Sequence, residues 1–288
     1  MVALSDGLFA RDGLNVQIVP GTPDDGPLRS VSAGSQAIGV VGAEQFLEGR
    51  ARGLPIIAFA AAYLETPVVF YARAASAITA PRDFVGKRVG YRPGSDTQII
   101  YQALLDRQSI SRAGVKEVRV DADPGPFTAD DVDVWPGHVG TDAYALMQRN
   151  IDYSTIAPAD YGIHVPGTVY FATQDLARDN PDLIRRFLHA VVAGWQTTYA
   201  DEGQAVAQIA AYDPTTLTPA FVRFKLDRQR QLLRPFGARF GEFADTHWRD
   251  LQQILLRQRL IAAPVDLSQA VTSDFLADVY RGADMQLQ

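Results

Sequence analysis

The sequence predicts an α/β protein of two lobes followed by a helical tail. Three observations predict it. Short apolar runs bounded by Gly, Pro or Thr alternate with helix-patterned stretches in the first quarter of the chain. A second alternating set of similar size follows. From about residue 174 the pattern is nearly all helical. The length, 288 residues, is enough for about two domains. Near-continuous apolar strands between helices further predict parallel sheets covered on both faces.

The elements follow in order. Residues 2–13 (VALSDGLFARDG) read as a short helix closed by Gly13, a residue that tolerates a left-handed helix end. VQIVP (16–20) reads as a strand, and the loop GTPDDGP (21–27) and the turn-rich SVSAGSQ (30–36) follow it. AIGVV (37–41), IIAFAA (56–61) and VVFYAR (68–73) read as strands, with a helix in GAEQFLEGRARG (42–53). The second unit has a strand in KRVGYR (87–92), a helix in SDTQIIYQALLDRQ (95–108) and strands in KEVRV (116–120) and DVDVWPG (131–137). A helix near 140–149 and a strand in STIAP (154–158) complete it, and TVYFAT (168–173) closes the set. In the tail, Asn180-Pro181 supplies a cap and a first-turn proline, and Asp245 and Thr246 can cap the helix containing Trp248. Linkers are expected near 74–83 and 162–168, which gives lobe I as 1–75 plus 168–288 and lobe II as 76–167.

Composition removes several classes of function. Lys plus Arg is 27 and Asp plus Glu is 33, a net charge of −6, which argues against a nucleic-acid partner. Cysteine is absent, so thiol catalysis, disulfides, iron–sulfur clusters and Cys-ligated zinc are excluded. Only Lys87, Lys116 and Lys225 are lysines, leaving few amines for Schiff-base chemistry. No apolar run is long enough to span a bilayer, and no secretory signal follows Met1. HExxH, GxSxG and the P-loop pattern do not occur, and neither a metal nor a cofactor is expected.

Three stretches could carry a site. In Arg92-Pro93-Gly94-Ser95-Asp96-Thr97-Gln98 a strand turns into a helix start, whose free N–H groups either hold a ligand or are simply capped by Ser95 or Asp96. In Val134-Trp135-Pro136-Gly137-His138, followed by Thr141-Asp142, a strand ends in an aromatic that either stacks on a planar ligand or plugs the core. In Asp160-Tyr161-Gly162-Ile163-His164 a Gly-containing loop precedes a crossing and either faces a cleft or is solvated. Glu44 and Gln45, and Tyr63 with Glu65, follow strands of the first lobe and could supply an opposite wall. His189 and His247 read as structural, and the acidic run 121–133 as a solvated loop.

RPGSDTQ (92–98), VDVWPGHVGTDAYAL (132–146), APADYGIHVPGTVYFAT (157–173) and NPDLIRRFLHAVVAGW (180–195) stand in the order and spacing of a known family. So do GLFARDGLNVQIVPG (7–21) and AIGVVGAEQFLEGRARGLPIIAFAA (37–61). The chain resembles the thiamine-pyrimidine-precursor-binding branch of the periplasmic substrate-binding proteins of ABC importers. The resemblance covers nearly the whole chain. It implies a type II periplasmic binding fold, with two lobes joined by two hinge crossovers and a ligand clamped between them. It implies a binding protein, periplasmic or anchored at the cell surface, that hands its ligand to a permease, and a monomer is expected. It places the PGSDTQ, WPG and DYGIH loops and the first-lobe loops at Gly42–Gln45 and Tyr63–Thr66 at the cleft.

The chain departs from the family pattern in three ways. Members usually begin with a strand ahead of the first helix; here the chain starts at that helix, so a central strand of lobe I and the export signal are expected to be missing. The Cys-rich motif of the related pyrimidine-forming enzymes is absent. Gln98 stands where relatives often carry Glu.

The expected function is capture of a small flat heteroaromatic molecule, a thiamine-related pyrimidine or a flavin-like ring. Trp135, with Tyr63 or Tyr161, would stack on it, while Gln98, Ser95, Thr97, Glu44 and His138 would bond to its edge. Two alternatives stand beside it: an enzyme of the same fold using His138 or His164 as acid–base group, and a sulfonate or nitrate binder at the Ser95–Thr97 helix start.

Overall fold

A computed structural model describes residues 1–21, 26–234 and 238–286, with the side chains after Arg281 excepted. Positions 22–25 of the expected loop at 21–27 lie outside the described residues.

Among the described residues, eight strands form two sheets: β1 (Gly39–Gly42), β2 (Ile56–Ala61), β3 (Val68–Arg73), β4 (Arg88–Tyr91), β5 (Lys116–Arg119), β6 (Val134–His138), β7 (Tyr153–Ile156) and β8 (Thr168–Thr173). The first sheet has the order β1-β8-β2 and the second β5-β4-β6-β3-β7. β3 pairs with β6 and β7, so it belongs to the second sheet. The chain therefore crosses between the sheets at 62–67, not at the linker expected near 74–83. It returns at 163–167, inside the second expected linker.

The expectation of purely parallel sheets is corrected. β4 runs parallel to β5 and β6, but β8 is antiparallel to β1 and β2, and β3 to β6 and β7. The reason lies in the crossings. β1, β4 and β6 run with their carboxyl ends toward the space between the lobes. β3 and β8 arrive from the other lobe and start there, Val68 opposite His138 and Thr168 opposite Gly42. With no helix inserted to reverse them, they run outward.

VQIVP (16–20), expected as a strand, has no ladder partner and is not a strand. Between the 14–21 segment and β1 lies an open slot of about 710 Å³, lined among others by Val16, Ile18, Val40, Leu183 and Phe187. Among the described residues β1 pairs only with β8, and its other edge faces this slot. Ile18, Val19 and Val40 remain 42%, 59% and 44% exposed as a result. The 16–20 segment lies across this slot from β1 and does not pair with it.

The expected helix over 2–13 is two short ones, Val2–Ser5 and Leu8–Arg11, parted by Gly7 in the left-handed region. The Ala43–Ala51 helix buries Phe46 and Leu47, and the Asp96–Arg107 helix buries Ile99, Ile100, Leu104 and Leu105. Asn180 caps the Pro181–Ala200 helix as expected, its Oδ1 accepting from the Leu183 N–H at 3.3 Å. The Asp245–Arg257 helix starts after Ala244 without a side-chain cap, so Asp245 and Thr246 sit in its first turn.

One apolar core joins both lobes to the tail: Phe46, Phe70, Leu104 and Phe171 share it with Trp248 and Leu255. Trp248 is fully buried, edge-on to Phe46 with centroids 5.8 Å apart. The tail is not an appendage of lobe I alone. Its 245–257 helix packs on both the 43–51 and 96–107 helices, and its Pro219–Leu233 helix touches Asp142–Gln148 of lobe II.

Candidate functional site

The starts of β3 and β8 and the ends of β1, β4 and β6 bring a few polar side chains to the seam between the lobes. Glu44 enters from lobe I, in the first turn of the 43–51 helix. A Cβ at Gly42 would overlap its carboxylate, so only glycine lets this side chain fold back over the end of β1. Asp96 and His138 enter from lobe II, and His138 Nε2 lies 2.7 Å from Asp96 Oδ2. Asp96 Oδ1 also accepts from the Thr97 N–H at 2.8 Å.

Asp142 holds His138 from behind. Its Oδ2 accepts from the His138 backbone N–H at 2.8 Å, and its Oδ1 from the indole N–H of Trp135 at 3.2 Å. A Cβ at Gly137 would stand 2.7 Å from the Asp142 carboxyl carbon, so the glycine leaves room for this bond. Asp142, named in the sequence only as the neighbour of Thr141 after this stretch, is thus the residue that fixes His138 and Trp135. The signal was there: His138 and Asp142 are four apart at the start of a helix, where a carboxylate can reach back to the preceding strand end.

The charges are set by this enclosure. Burial pushes the Glu44 carboxyl up to about 7; its own backbone N–H opposes the shift, and nearby Asp96 and Glu48 add to it. Asp96 is also desolvated, but the hydrogen bond and charge of His138, together with the Thr97 N–H, outweigh that and hold it below the usual carboxylate range. Desolvation alone would lower His138; the hydrogen bond and charge of Asp96, and the charge of Asp142, raise it instead. The seam therefore sets a His138–Asp96 pair, each partner favouring the charged form of the other, opposite a carboxyl group that titrates near 7.

The space beside these groups is small. A chamber of about 50 Å³ between the lobes is walled by Glu44 and Asp96 and by Pro67, Ile99, Val165 and Leu251. Parting of the lobes would widen it.

The other expected residues fall into place differently. Ser95 is a helix cap: its Oγ accepts from the Gln98 N–H at 3.3 Å, donates to the Arg92 carbonyl and meets Thr97 Oγ1 at 2.7 Å. The Thr97 side chain is buried there. Gln98 is spent on the turn, its Oε1 accepting from the Gly94 N–H at 2.6 Å. Gln45 and Thr141 are exposed. Tyr63 donates to Gln229 Oε1 at 2.9 Å and packs at the edge of the lobe I core, and Tyr161 packs against the joint core. Trp135 is corrected outright: it is 0% exposed, packed in a lobe II cluster with Phe127 and Leu146, so its ring offers no face to a ligand. Glu65 and His164 meet each other rather than the Glu44 group, with Oε1 to Nδ1 at 3.1 Å. His247, read as structural, adjoins them.

Residues 1–205 match the profile of the family described as NMT1/THI5 like. Three curated relatives are 24% identical. The riboflavin-binding protein RibY of Chloroflexus aurantiacus aligns over 96% of this chain and 81% of its own. The 4-amino-5-hydroxymethyl-2-methylpyrimidine phosphate synthase of Legionella pneumophila aligns over 96% and 87%. The formylaminopyrimidine-binding protein of Halalkalibacterium halodurans aligns over 70% and 62%. Among solved structures, the periplasmic aliphatic sulphonate binding protein SsuA of Escherichia coli superimposes with a TM-score of 0.78 at 19% identity, over 94% of this chain and 87% of that one. That likeness gives the fold: the two-lobed α/β architecture of periplasmic binding proteins.

Proposed function

Since the chain belongs to the NMT1/THI5-like family, we propose that it is the substrate-binding protein of an ABC importer, and that its cleft takes a small aminopyrimidine-like ring. The observation that carries this reading is Glu44 of lobe I standing across the seam from the Asp96–His138 pair of lobe II, with a carboxyl pKa of about 7. An aminopyrimidine presents a ring nitrogen that accepts and an exocyclic amine that donates. A carboxyl group carrying one proton matches that edge with two parallel hydrogen bonds. The proton can sit on either partner, which suits a group titrating near neutrality. Pro67, Ile99 and Val165 supply apolar contact to the ring faces, in place of the stacking once expected from Trp135.

Binding without turnover suits the absence of Cys and the scarcity of Lys in the sequence. Closing of the lobes stabilises the complex only as far as the ligand prefers the closed state. In this reading the protein is a monomer outside the cytoplasmic membrane and delivers its ligand to a permease; no described helix is long and apolar enough to cross a membrane.

A second reading, an enzyme acting on a pyrimidine, rests on the His138–Asp96 pair, an imidazole with a carboxylate partner, and on the relative named as a synthase. An oxyanion ligand is disfavoured, because the helix start that would hold it carries the Asp96 carboxylate and faces Glu44. Calorimetry with aminopyrimidines, riboflavin and alkanesulfonates separates the three. Micromolar binding of an aminopyrimidine, recovered unchanged by mass spectrometry, is the expected result. Chemical conversion of the bound pyrimidine would favour the enzyme. Binding of sulfonates with no affinity for any heterocycle would overturn the proposal.

A further inference from the structure

We infer that Glu65, His164 and His247 form a site for one divalent transition-metal ion of the zinc class at the hinge. The three side chains come from three separate stretches: the crossing at 62–67, the return at 163–167, and the first turn of the 245–257 helix. Glu65 Oε1 lies 3.1 Å from His164 Nδ1 and 3.8 Å from His247 Nε2. One donor atom from each residue lies within 4.8 Å of the other two, and the imidazole rings stand nearly parallel, 5.6 Å apart.

A zinc ion binds nitrogen and oxygen donors at about 2.0–2.2 Å, which in a tetrahedral shell puts the donors roughly 3.3–3.6 Å from one another. The two spacings from Glu65 already bracket that distance. The third needs only that the two imidazoles tilt toward a common point. Two imidazoles and one carboxylate form a donor set that suits zinc and leaves a fourth position for water.

A separate observation points to a missing partner. The Glu65 side chain is 12% exposed, and its second oxygen, Oε2, is buried with no hydrogen-bond partner. Among the described residues no Lys or Arg pairs with Glu65. A carboxylate with one oxygen bonded to one imidazole and near a second, and the other oxygen orphaned, is half used, and a cation at the common point of the three donors would engage it. His164 and His247 are 37% and 21% exposed, so an ion can reach the site.

The location gives the site a purpose. Both crossings and a tail helix in contact with both lobes meet at these three side chains, so a bound ion would fix the angle between them. The site is separate from the Glu44–Asp96–His138 group and does not depend on what the cleft binds.

The test uses tag-free, metal-stripped full-length protein without organic ligand. Zn²⁺ is titrated by calorimetry, and Co²⁺ is followed by its visible absorption as a geometric probe. The expected result is one ion per chain, with the strong visible bands of four-coordinate Co²⁺ and a rise in Tm on adding Zn²⁺. His247→Ala is expected to weaken Zn²⁺ at least tenfold, and His164→Ala with His247→Ala to abolish stoichiometric binding. Glu65→Gln tests the carboxylate while keeping its shape. Circular dichroism checks that each variant is folded, and His138→Ala, outside the proposed set, is expected to leave Zn²⁺ binding unchanged. Absence of one-to-one binding by both ions, or Zn²⁺ affinity unaltered in folded His247→Ala and Glu65→Gln, would overturn the site. Neither outcome bears on aminopyrimidine binding.

Discussion

At the scale of single residues, the seam is governed by a buried proton. Glu44 holds its carboxyl at about 7 because ionising it would place a charge in an enclosed site beside Asp96. A raised pKa favours folding below the unfolded carboxyl value, and that contribution is lost as pH climbs through about 7. Binding of a neutral aminopyrimidine should follow the same proton. Above pH 7 the complex must take up a proton that free Glu44 has released, so Kd is expected to rise toward tenfold per pH unit. In Glu44→Gln, calorimetry across pH 6–9 is expected to show weaker binding with that slope gone. Asp96 and His138 act in the opposite sense from each other: Asp96 stabilises above its unfolded pKa and loses this as pH falls through its depressed folded value, whereas His138 loses its contribution as pH rises through its raised one. Behind them, Asp142→Ala strands the indole N–H of Trp135 and the His138 N–H, at an expected cost of about 1–3 kcal/mol for each buried group left unpaired. Trp135→Phe separates packing from recognition. Because the ring is enclosed, urea melts are expected to show lower stability while ligand affinity stays within about twofold; a large loss of affinity in the folded variant would restore the stacking role.

At the scale of elements, what the sequence made legible was whatever local chemistry controls. Ser95 and Asn180 as caps, the apolar runs of β2, β3 and β8, and the 43–51 and 96–107 helices all follow from side chains acting within a few residues of themselves. What was not legible depended on a partner elsewhere in the chain. VVFYAR reads equally well in either sheet, and only its pairing with β6 and β7 puts it in the second. Trp135 at a strand end can face outward or inward, and the decision rests with Asp142 and the cluster around Phe127. VQIVP has the composition of a strand but stands across a slot from the nearest edge. That slot is open to a direct experiment. A six-residue extended segment spans about 20 Å; one with alternating Val and Thr, fused through a short Gly-Ser linker ahead of Met1, is expected to pair with β1, raise Tm and reduce binding of an apolar dye. An extension of equal length containing two prolines should do neither.

At the scale of the whole molecule, the tail decides how freely the lobes can part. Gln258 of the tail donates to the Ile99 carbonyl in lobe II at 2.8 Å, and Tyr144 of lobe II packs against Phe221 and Phe224 with centroids 5.1 and 5.4 Å apart. Parting of the lobes has to break these contacts. Replacing Phe221 and Phe224 together by Ala is expected to favour the open form. The ligand-free radius of gyration in X-ray scattering should increase, and affinity should fall several-fold, since binding must now carry the cost of closure. The placement of β8 has a mechanical corollary. This strand is the direct continuation of the return crossing and lies between β1 and β2, laddered to both. Tension between the lobes along the crossing pulls β8 lengthwise and loads its two ladders in shear, many bonds at once, whereas the tail contacts peel one by one. Under such tension the tail contacts are expected to give before the ladders of β8.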